Sequence, residues 1–136
     1  MKFPIINISV EKWNDNEDMS EYISYDKFIY TSEDSVFDKY YKNMLFCDSN
    51  GVLFLAIRKS EIKEKWRIWL KFIPNVWKFE VIFKQTPNEM NTEELREYFL
   101  ARISELKKTN SREEWIQSVK NAKSHFEIIH GTEKKY

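Results

Sequence analysis

The feature that most constrains the fold is an Asn-Gly pair between two short apolar segments. Asn50 and Gly51 separate residues 44–47 from residues 52–57. Both Asn and Gly tolerate the positive φ values of a tight antiparallel turn, so we predict a β-hairpin over residues 44–57. The second segment has six apolar residues in succession without alternation. This pattern predicts a central strand covered on both faces.

The next segment, rich in Trp and Lys, is predicted to form a second hairpin. Its apolar residues fit a helical stripe over 62–73 and also one face of a strand over 65–73. We choose the strand. Residues 76–84 alternate apolar and polar side chains, and Pro74-Asn75 between the two runs fits a compact turn. With the first hairpin, these runs predict a meander of four antiparallel strands.

The last third of the chain begins with a helical pattern. Asn91 and Glu94 have the spacing of a capping box, in which each side chain accepts a hydrogen bond from the other residue's backbone N–H. Apolar residues then recur with the period of a helix, which predicts a helix over residues 92–107. The apolar stripe of this helix consists of Leu95, Phe99, Ile103 and Leu106.

A second helix is predicted over residues 112–124. Ser111 and Glu114 repeat the capping-box spacing. Its apolar stripe consists of Trp115, Val119 and Ala122. Residues 126–130 then predict a short strand before a charged tail. We expect both stripes to be buried on the sheet, where each large apolar side chain contributes roughly 1.5–3 kcal/mol.

The first third of the chain is predicted to contain two strands and a short helix. Residues 5–10 fit a first strand, and residues 14–21 fit a solvated acidic loop. Residues 22–30 are rich in aromatic and branched side chains, which predicts a second strand. Ser32 fits the cap of a helix over residues 33–43.

The predicted elements combine into a single α+β domain over residues 1–136. Its sheet is an antiparallel β-meander of about five or six strands, packed by two C-terminal helices, because a helix must bury its apolar stripe against another layer. A chain of 136 residues has the usual length of one domain.

The charge of the chain is balanced in total and uneven along its length. Lys and Arg number 22, as do Asp and Glu, so the net charge is zero. Residues 1–50 carry ten acidic and five basic side chains, whereas residues 51–136 carry 12 acidic and 17 basic ones. A balanced total argues against a dedicated binder of the DNA backbone, which usually carries a strong basic excess.

The composition favours a cytoplasmic protein without a membrane partner. No apolar run approaches the roughly 20 residues of a membrane-spanning helix. The apolar stretch at the N-terminus is broken too early for a signal peptide, and a lone Cys47 fits a reducing compartment. Frequent Lys, Glu, Asn and Ile residues suggest a bacterial source.

The residues that usually carry chemistry form no catalytic pattern here. His125 and His130 are five residues apart, so a regular element would point them in different directions and they could not hold one metal ion. Cys47 lies in an apolar strand without a visible base, which favours an inert buried thiol. The two glycines are too few for a phosphate-binding loop. We therefore expect no metal and no cofactor, and we favour a non-enzymatic protein.

Two surfaces of the chain are candidates for partner binding. The first is a face of the predicted 65–84 hairpin where basic side chains surround Trp69 and Ile82, and its predicted binding residues are Arg67, Trp69, Lys71, Lys78 and Lys84. The second is the acidic loop, with Asp15, Glu17 and Asp18 as its predicted binding residues. The plainer alternatives are a covered face whose lysines reach outward to water, and a solvated loop.

Three functional hypotheses follow from these surfaces. The first is a protein-binding module, such as a bacterial immunity or antitoxin-type inhibitor that occludes a partner protein. The second is an RNA or single-stranded nucleic-acid binding module, in which an aromatic side chain stacks on bases between cations. The third is a small-ligand or enzyme domain with an aromatic pocket.

Overall fold

The computed structural model describes residues 1–13, 22–31, 35–61 and 77–133. The strands in this part of the chain are β1 (Ile5–Asn7), β2 (Ile23–Ser24), β3 (Phe28–Thr31), β4 (Leu45–Cys47), β5 (Val52–Glu61) and β6 (Trp77–Glu89). They form one antiparallel sheet in the order β2-β1-β4-β5-β6-β3. The helices are α1 (Val36–Tyr40), α2 (Thr92–Ser104), α3 (Asn110–Asn121) and α4 (His125–Glu133). The predicted α+β class and antiparallel sheet are confirmed.

The sheet is curled, because its two edge strands are close neighbours in sequence. Only residues 25–27 separate β2 at one edge from β3 at the other. The four Cα–Cα steps from Ser24 to Phe28 span at most about 14 Å. A flat sheet of six strands, each about 4.8 Å from the next, would hold its edges about 24 Å apart. The sheet must therefore bend its two edges toward each other.

The predicted hairpin around Gly51 is confirmed. Cys47 pairs with Leu53 across the turn, and Gly51 has a φ of 84°. Strands β4, β5 and β6 are consecutive neighbours in the sheet. However, β5 pairs directly with β6 along its length. We predicted a strand over residues 65–73 next to β5, and β6 occupies that position instead. Residues 65–73 themselves lie outside the described part of the chain.

The prediction of one strand over residues 22–30 is wrong. The segment divides into β2 and β3, which lie at opposite edges of the sheet. Between them the carboxylate of Asp26 accepts a hydrogen bond from the backbone N–H of Phe28 at 2.8 Å. An Asp side chain that bonds the backbone two residues ahead stabilises a turn, and this turn ends the first strand.

The buried carboxylate of Asp48 holds the hairpin turn and the N-terminus together. Its Oδ1 accepts hydrogen bonds from the backbone N–H groups of Asn50 and Val52, both at 2.9 Å. Its Oδ2 accepts a third from the N–H of Lys2 at 3.0 Å. Three donors offset the desolvation of a carboxylate that is 1% exposed, which explains an acidic residue in this position.

The apolar side chains form two cores, one on each face of the sheet. The core inside the curl includes Ile5, Ile29, Phe37, Phe46, Ala56 and Val81. The core on the other face combines sheet residues with residues of the last three helices, and it includes Ile6, Ile23, Cys47, Leu95, Phe99, Ile103, Trp115, Val119, Ile128 and Ile129. Every residue of the two predicted helix stripes is buried.

The caps of α2 and α3 show which sequence signals were correct. Asn91 and Glu94 form the predicted capping box, with both reciprocal hydrogen bonds present. The cap predicted at Ser111 is wrong, because α3 begins two residues earlier in the chain than expected. Its cap is Thr109, whose hydroxyl accepts from the N–H of Arg112 at 3.1 Å.

Two arginines join the ends of α2 and α3. Arg96 of α2 donates to the carbonyl oxygens of Val119 and Ala122 at the end of α3. Arg112 of α3 donates to the carbonyl oxygen of Ser104 at the end of α2, at 3.0 Å. Each guanidinium thus binds carbonyl oxygens at the C-terminal end of the other helix, where the helix dipole is negative.

The prediction of a strand over residues 126–130 is also wrong, because these residues belong to α4. The backbone N–H of Glu127 donates to the hydroxyl of Ser124 at 3.1 Å, and the Glu127 carboxylate accepts from the N–H of Lys123. The first of these bonds is that of an N-cap, and the second binds Glu127 to the residue before the cap. Ile128 and Ile129 are buried in the same core as α2 and α3, so three helices contribute to that core rather than the expected two.

Candidate functional site

A β-bulge in β5 is the most distinctive feature of the exposed sheet surface. Ala56 pairs with Phe83, whereas Arg58 pairs with Ile82. Two steps along β5 therefore match a single step along β6, and Ile57 is the extra residue. Bulges redirect side chains and are common beside functional sites, which makes this position a candidate site.

The bulge points two consecutive side chains away from the inner core. Ala56 is buried in the core inside the curl, and neighbouring residues of β6 face opposite sides. Ala56 pairs with Phe83, and Arg58 pairs with Ile82, the next residue of β6. The side chain of Arg58 therefore lies on the opposite side of the sheet from that of Ala56. Ile57 follows Ala56 directly and faces the same way as Arg58. Both are exposed, and Ile57 is 37% exposed despite its apolar side chain.

The surface around the bulge combines an apolar centre with basic groups. Leu55 pairs with Lys84, and Arg58 pairs with Ile82. Leu55 and Ile82 are half-buried, whereas Arg58 and Lys84 are exposed. We define the outer face as the following five residues: Leu55, Ile57, Arg58, Ile82 and Lys84. Its aliphatic side chains therefore lie beside two cations.

The positive charge of the outer face is not neutralised within the described part of the chain. Arg58 and Lys84 form no ion pair there. Glu80, the described acidic residue of β6 nearest to them in sequence, is bound to Lys27 at 2.8 Å. Arg58 and Lys84 are diagonal neighbours of like charge, and Glu80 on the same face is already paired with Lys27. An anion between the two cations would therefore be attracted by both.

The predicted binding residues are described only in part. Lys84 is exposed on the outer face beside Ile82, and Lys78 belongs to β6, where it pairs with Tyr30. The others lie outside the described residues, so their grouping stays a prediction: Arg67, Trp69, Lys71, Asp15, Glu17 and Asp18.

Sequence reasoning missed the β5 half of the outer face. The run over 52–57 was expected to be covered on both faces. Its central position in the sheet is confirmed, but Ile57 at its end is exposed. A run of apolar residues does not predict a bulge, because the bulge depends on which residue of β6 pairs with each residue of β5. The one available indication in the sequence was the charged residue Arg58, which directly follows the run and is exposed in the structure.

Cys47 has the surroundings of a structural thiol. It is fully buried, and burial, with a smaller contribution from the charge of Asp48, raises its pKa from 9.0 to about 12. A thiol acts as a nucleophile in its thiolate form, which burial disfavours.

We expect Cys47 of the folded protein to react with a disulfide reagent about a thousandfold more slowly at about pH 8 than Cys47 of the urea-unfolded chain. A rise in the pKa from 9.0 to about 12 lowers the thiolate fraction by that factor. The measurement is the rate of thiol release with and without urea, with free cysteine as the control for the effect of urea on the reagent. Rates within tenfold of each other would contradict the assignment.

The two histidines of α4 contact other groups of the protein. The Nε2 of His125 lies 2.6 Å from the carbonyl oxygen of Met90. The ring of His130 stacks on Phe126, with centroids 5.1 Å apart and planes within 14°. Among the residues that the structure describes, no three His, Cys, Asp or Glu side chains are placed to hold a metal ion.

A second surface feature is an open groove between α3 and α4, with a volume of about 380 Å³. Ser118 of α3 and Gly131 of α4 both line it. Phe126 lines one wall and is 37% exposed, the same fraction as Ile57. Phe126 therefore offers a matched comparison for substitutions on the outer face.

No family model, curated protein or solved structure matches this chain. In the described ranges, no helix combines the length and the apolar composition needed to cross a membrane.

Proposed function

We propose that this chain is a non-enzymatic protein-binding module that uses the outer face to cover a functional surface of a partner protein. The observation that supports the proposal best is the bulge, which exposes Ile57 beside Arg58. A central aliphatic side chain with arginine next to it is typical of the residues that contribute most to protein interfaces.

The mode of action that we propose is steric occlusion, as in a bacterial immunity or antitoxin-type inhibitor acting in the cytoplasm. An inhibitor of this kind needs a rigid surface and no chemistry of its own. The outer face lies on paired strands, where the backbone is held in place by the ladder of the sheet. Its positive charge would speed the encounter with a partner of opposite charge. Arg67, Trp69 and Lys71 lie outside the described residues and are not among the residues that define the outer face.

We expect Ile57→Glu to weaken partner binding by about thirtyfold or more, because a buried apolar contact at the centre of an interface contributes about 2 kcal/mol or more. The tagged wild-type chain is first used to capture its partner from the source cells. The captured protein is then identified, produced separately and titrated against each variant by calorimetry. The matched control is Phe126→Glu, which introduces the same charge at an equally exposed aromatic side chain in α4.

Comparison of the two variants shows whether the partner binds the outer face or the groove between α3 and α4. Binding that survives Ile57→Glu but is lost with Phe126→Glu would move the interface to the groove between α3 and α4. Turnover of a substrate by the purified chain alone would overturn the non-enzymatic proposal. Equal thermal unfolding of the wild type and both variants shows that the comparison reports binding rather than folding.

A further inference from the structure

Resting on the proposed function, we infer that Arg58 and Lys84 together bind a carboxylate of the partner, whose contact surface is acidic around an apolar site for Ile57. The inference concerns the chemistry of the partner and adds to the identification of the outer face as an interface.

The strand register places the two cations within reach of one carboxylate. Arg58 stands opposite Ile82, and Lys84 lies two residues further along β6 on the same face. Diagonal neighbours of this kind have Cβ atoms about 7–8 Å apart. A carboxylate has two oxygens and can accept hydrogen bonds from a guanidinium and an ammonium group at once. The arrangement therefore fits an Asp or Glu side chain between the two strands.

The local charges make an anion favourable at this position. Neither cation has an acidic partner in the described part of the chain, and the carboxylate of Glu80 is already bound to Lys27. The neighbouring Lys59 is a further cation, and its ammonium group lies over the ring of Phe79 at 4.3 Å. A carboxylate from outside would thus reduce the repulsion between Arg58 and Lys84.

The apolar part of the outer face favours a protein over a nucleic acid. The described side chains between the cations are the aliphatic groups of Leu55, Ile57 and Ile82. Binders of single-stranded nucleic acid place aromatic rings between cations, because bases stack on rings. Aliphatic groups instead fit an apolar site on a protein surface. An acidic protein surface with an apolar centre is therefore the occupant that matches both parts of the face.

The experiment uses a short synthetic peptide in which a central Leu is flanked by Asp and Glu. Amide chemical shifts of the full chain are followed as the peptide is added at low salt. We expect shifts at the five outer-face residues, and we expect Arg58→Glu with Lys84→Glu to weaken the affinity about tenfold or more. The control pair is Lys108→Glu with Lys120→Glu, which reverses two exposed charges on the helical side of the molecule.

Three results would overturn the inference. The first is an acidic peptide that binds this face no better than a peptide with Asn and Gln in place of Asp and Glu. The second is oligothymidine that binds the same face more tightly than the acidic peptide, which would assign it to nucleic acid. The third is a captured partner that requires Ile57 but tolerates both charge reversals. That result would retain the proposed function and reject the acidic partner alone.

Discussion

We expect Gly51→Ala to lower the free energy of unfolding by about 2–5 kcal/mol. Gly51 has a φ of 84°, a conformation that costs an L-residue roughly 1–2 kcal/mol. A Cβ atom there would also lie 2.5 Å from both the carbonyl oxygen of Met90 and the Nε2 of His125. Extra atoms forced into a well-packed site cost about 1–3 kcal/mol, and the two penalties add because they have separate causes.

The effect is expected to reach beyond the turn because Gly51 contacts two other parts of the chain. Its carbonyl oxygen accepts a hydrogen bond from the N–H of Met90 at 2.7 Å. The carbonyl oxygen of Met90 in turn lies 2.6 Å from the Nε2 of His125 at the start of α4. A methyl group at Gly51 would separate the hairpin turn from the end of β6 and from α4 together.

The measurement is urea unfolding followed by circular dichroism, with Gly131→Ala as the matched control. Gly131 lies within α4 and has no positive φ, and its added Cβ would lie 3.1 Å from the Ser118 hydroxyl. Alanine is favoured over glycine in a helix by about 1 kcal/mol, which offsets a small adjustment of Ser118. We expect Gly131→Ala to change stability by less than about 1 kcal/mol. Equal losses in the two variants would contradict our account of the turn.

Local signals in the sequence were sufficient for the turn and for α2. The Asn50-Gly51 pair has the backbone freedom that a tight turn requires, and the paired strands on either side follow from it. Asn91 and Glu94 satisfy each other's backbone N–H groups, so the start of α2 is set by neighbouring residues alone. Both features could be predicted because their stabilising contacts lie within a few residues.

The sequence before α4 contains a local helix signal, but the prediction followed the apolar run after it instead. Ser124 and Glu127 have the same capping spacing as Asn91 and Glu94, and the Ser124 hydroxyl accepts from the N–H of Glu127 as an N-cap does. A short apolar run fits a buried strand or a buried helix equally well. Gly131 after the run suggested an end to the element, yet it lies inside the helix, where its missing side chain lets α4 approach Ser118.

The outer face and the division of residues 22–30 depend on contacts between distant residues. Ile57 is exposed because Arg58 pairs with Ile82 rather than with the residue that regular pairing would supply. Strands β2 and β3 separate because one pairs with β1 and the other with β6. Strand partners of this kind depend on the arrangement of all the strands in the sheet, and no pattern within either segment specifies them.

The second large effect is expected from Trp115→Ala, which should lower the free energy of unfolding by about 3–5 kcal/mol. Trp115 is 1% exposed, and its ring stacks on Trp13 with centroids 5.5 Å apart and planes within 6°. Trp13 in turn meets the ring of Phe99 edge-on at 5.3 Å. Removal of the indole therefore leaves a cavity between α3, α2 and the segment that follows β1.

Two hydrogen bonds also join that segment to α2, in addition to the ring contacts of Trp13. The hydroxyl of Tyr98 and the Nε of Arg102 both donate to the carbonyl oxygen of Val10, at 2.8 and 3.0 Å. Burial raises the pKa of Tyr98, with a partial offset from Arg102, so this hydroxyl remains a donor. Hydrogen bonds of this kind contribute about 1 kcal/mol each, less than the burial of two indoles. The tryptophan stack therefore stabilises the segment more than these hydrogen bonds do.

The measurement is urea unfolding of Trp115→Ala beside Trp115→Phe. Phenylalanine keeps a ring against Trp13 and fills part of the space, so we expect a loss of roughly half that of alanine. The indole N–H of Trp13, which NMR resolves from those of the other tryptophans, should exchange with solvent faster in the alanine variant and much less so in the phenylalanine variant. Losses below about 1 kcal/mol in both variants would mean that the ring contact with Trp13 contributes little. In that case the helices would be held chiefly by their aliphatic stripes, and the segment around Trp13 would be secured by Tyr98 and Arg102 instead.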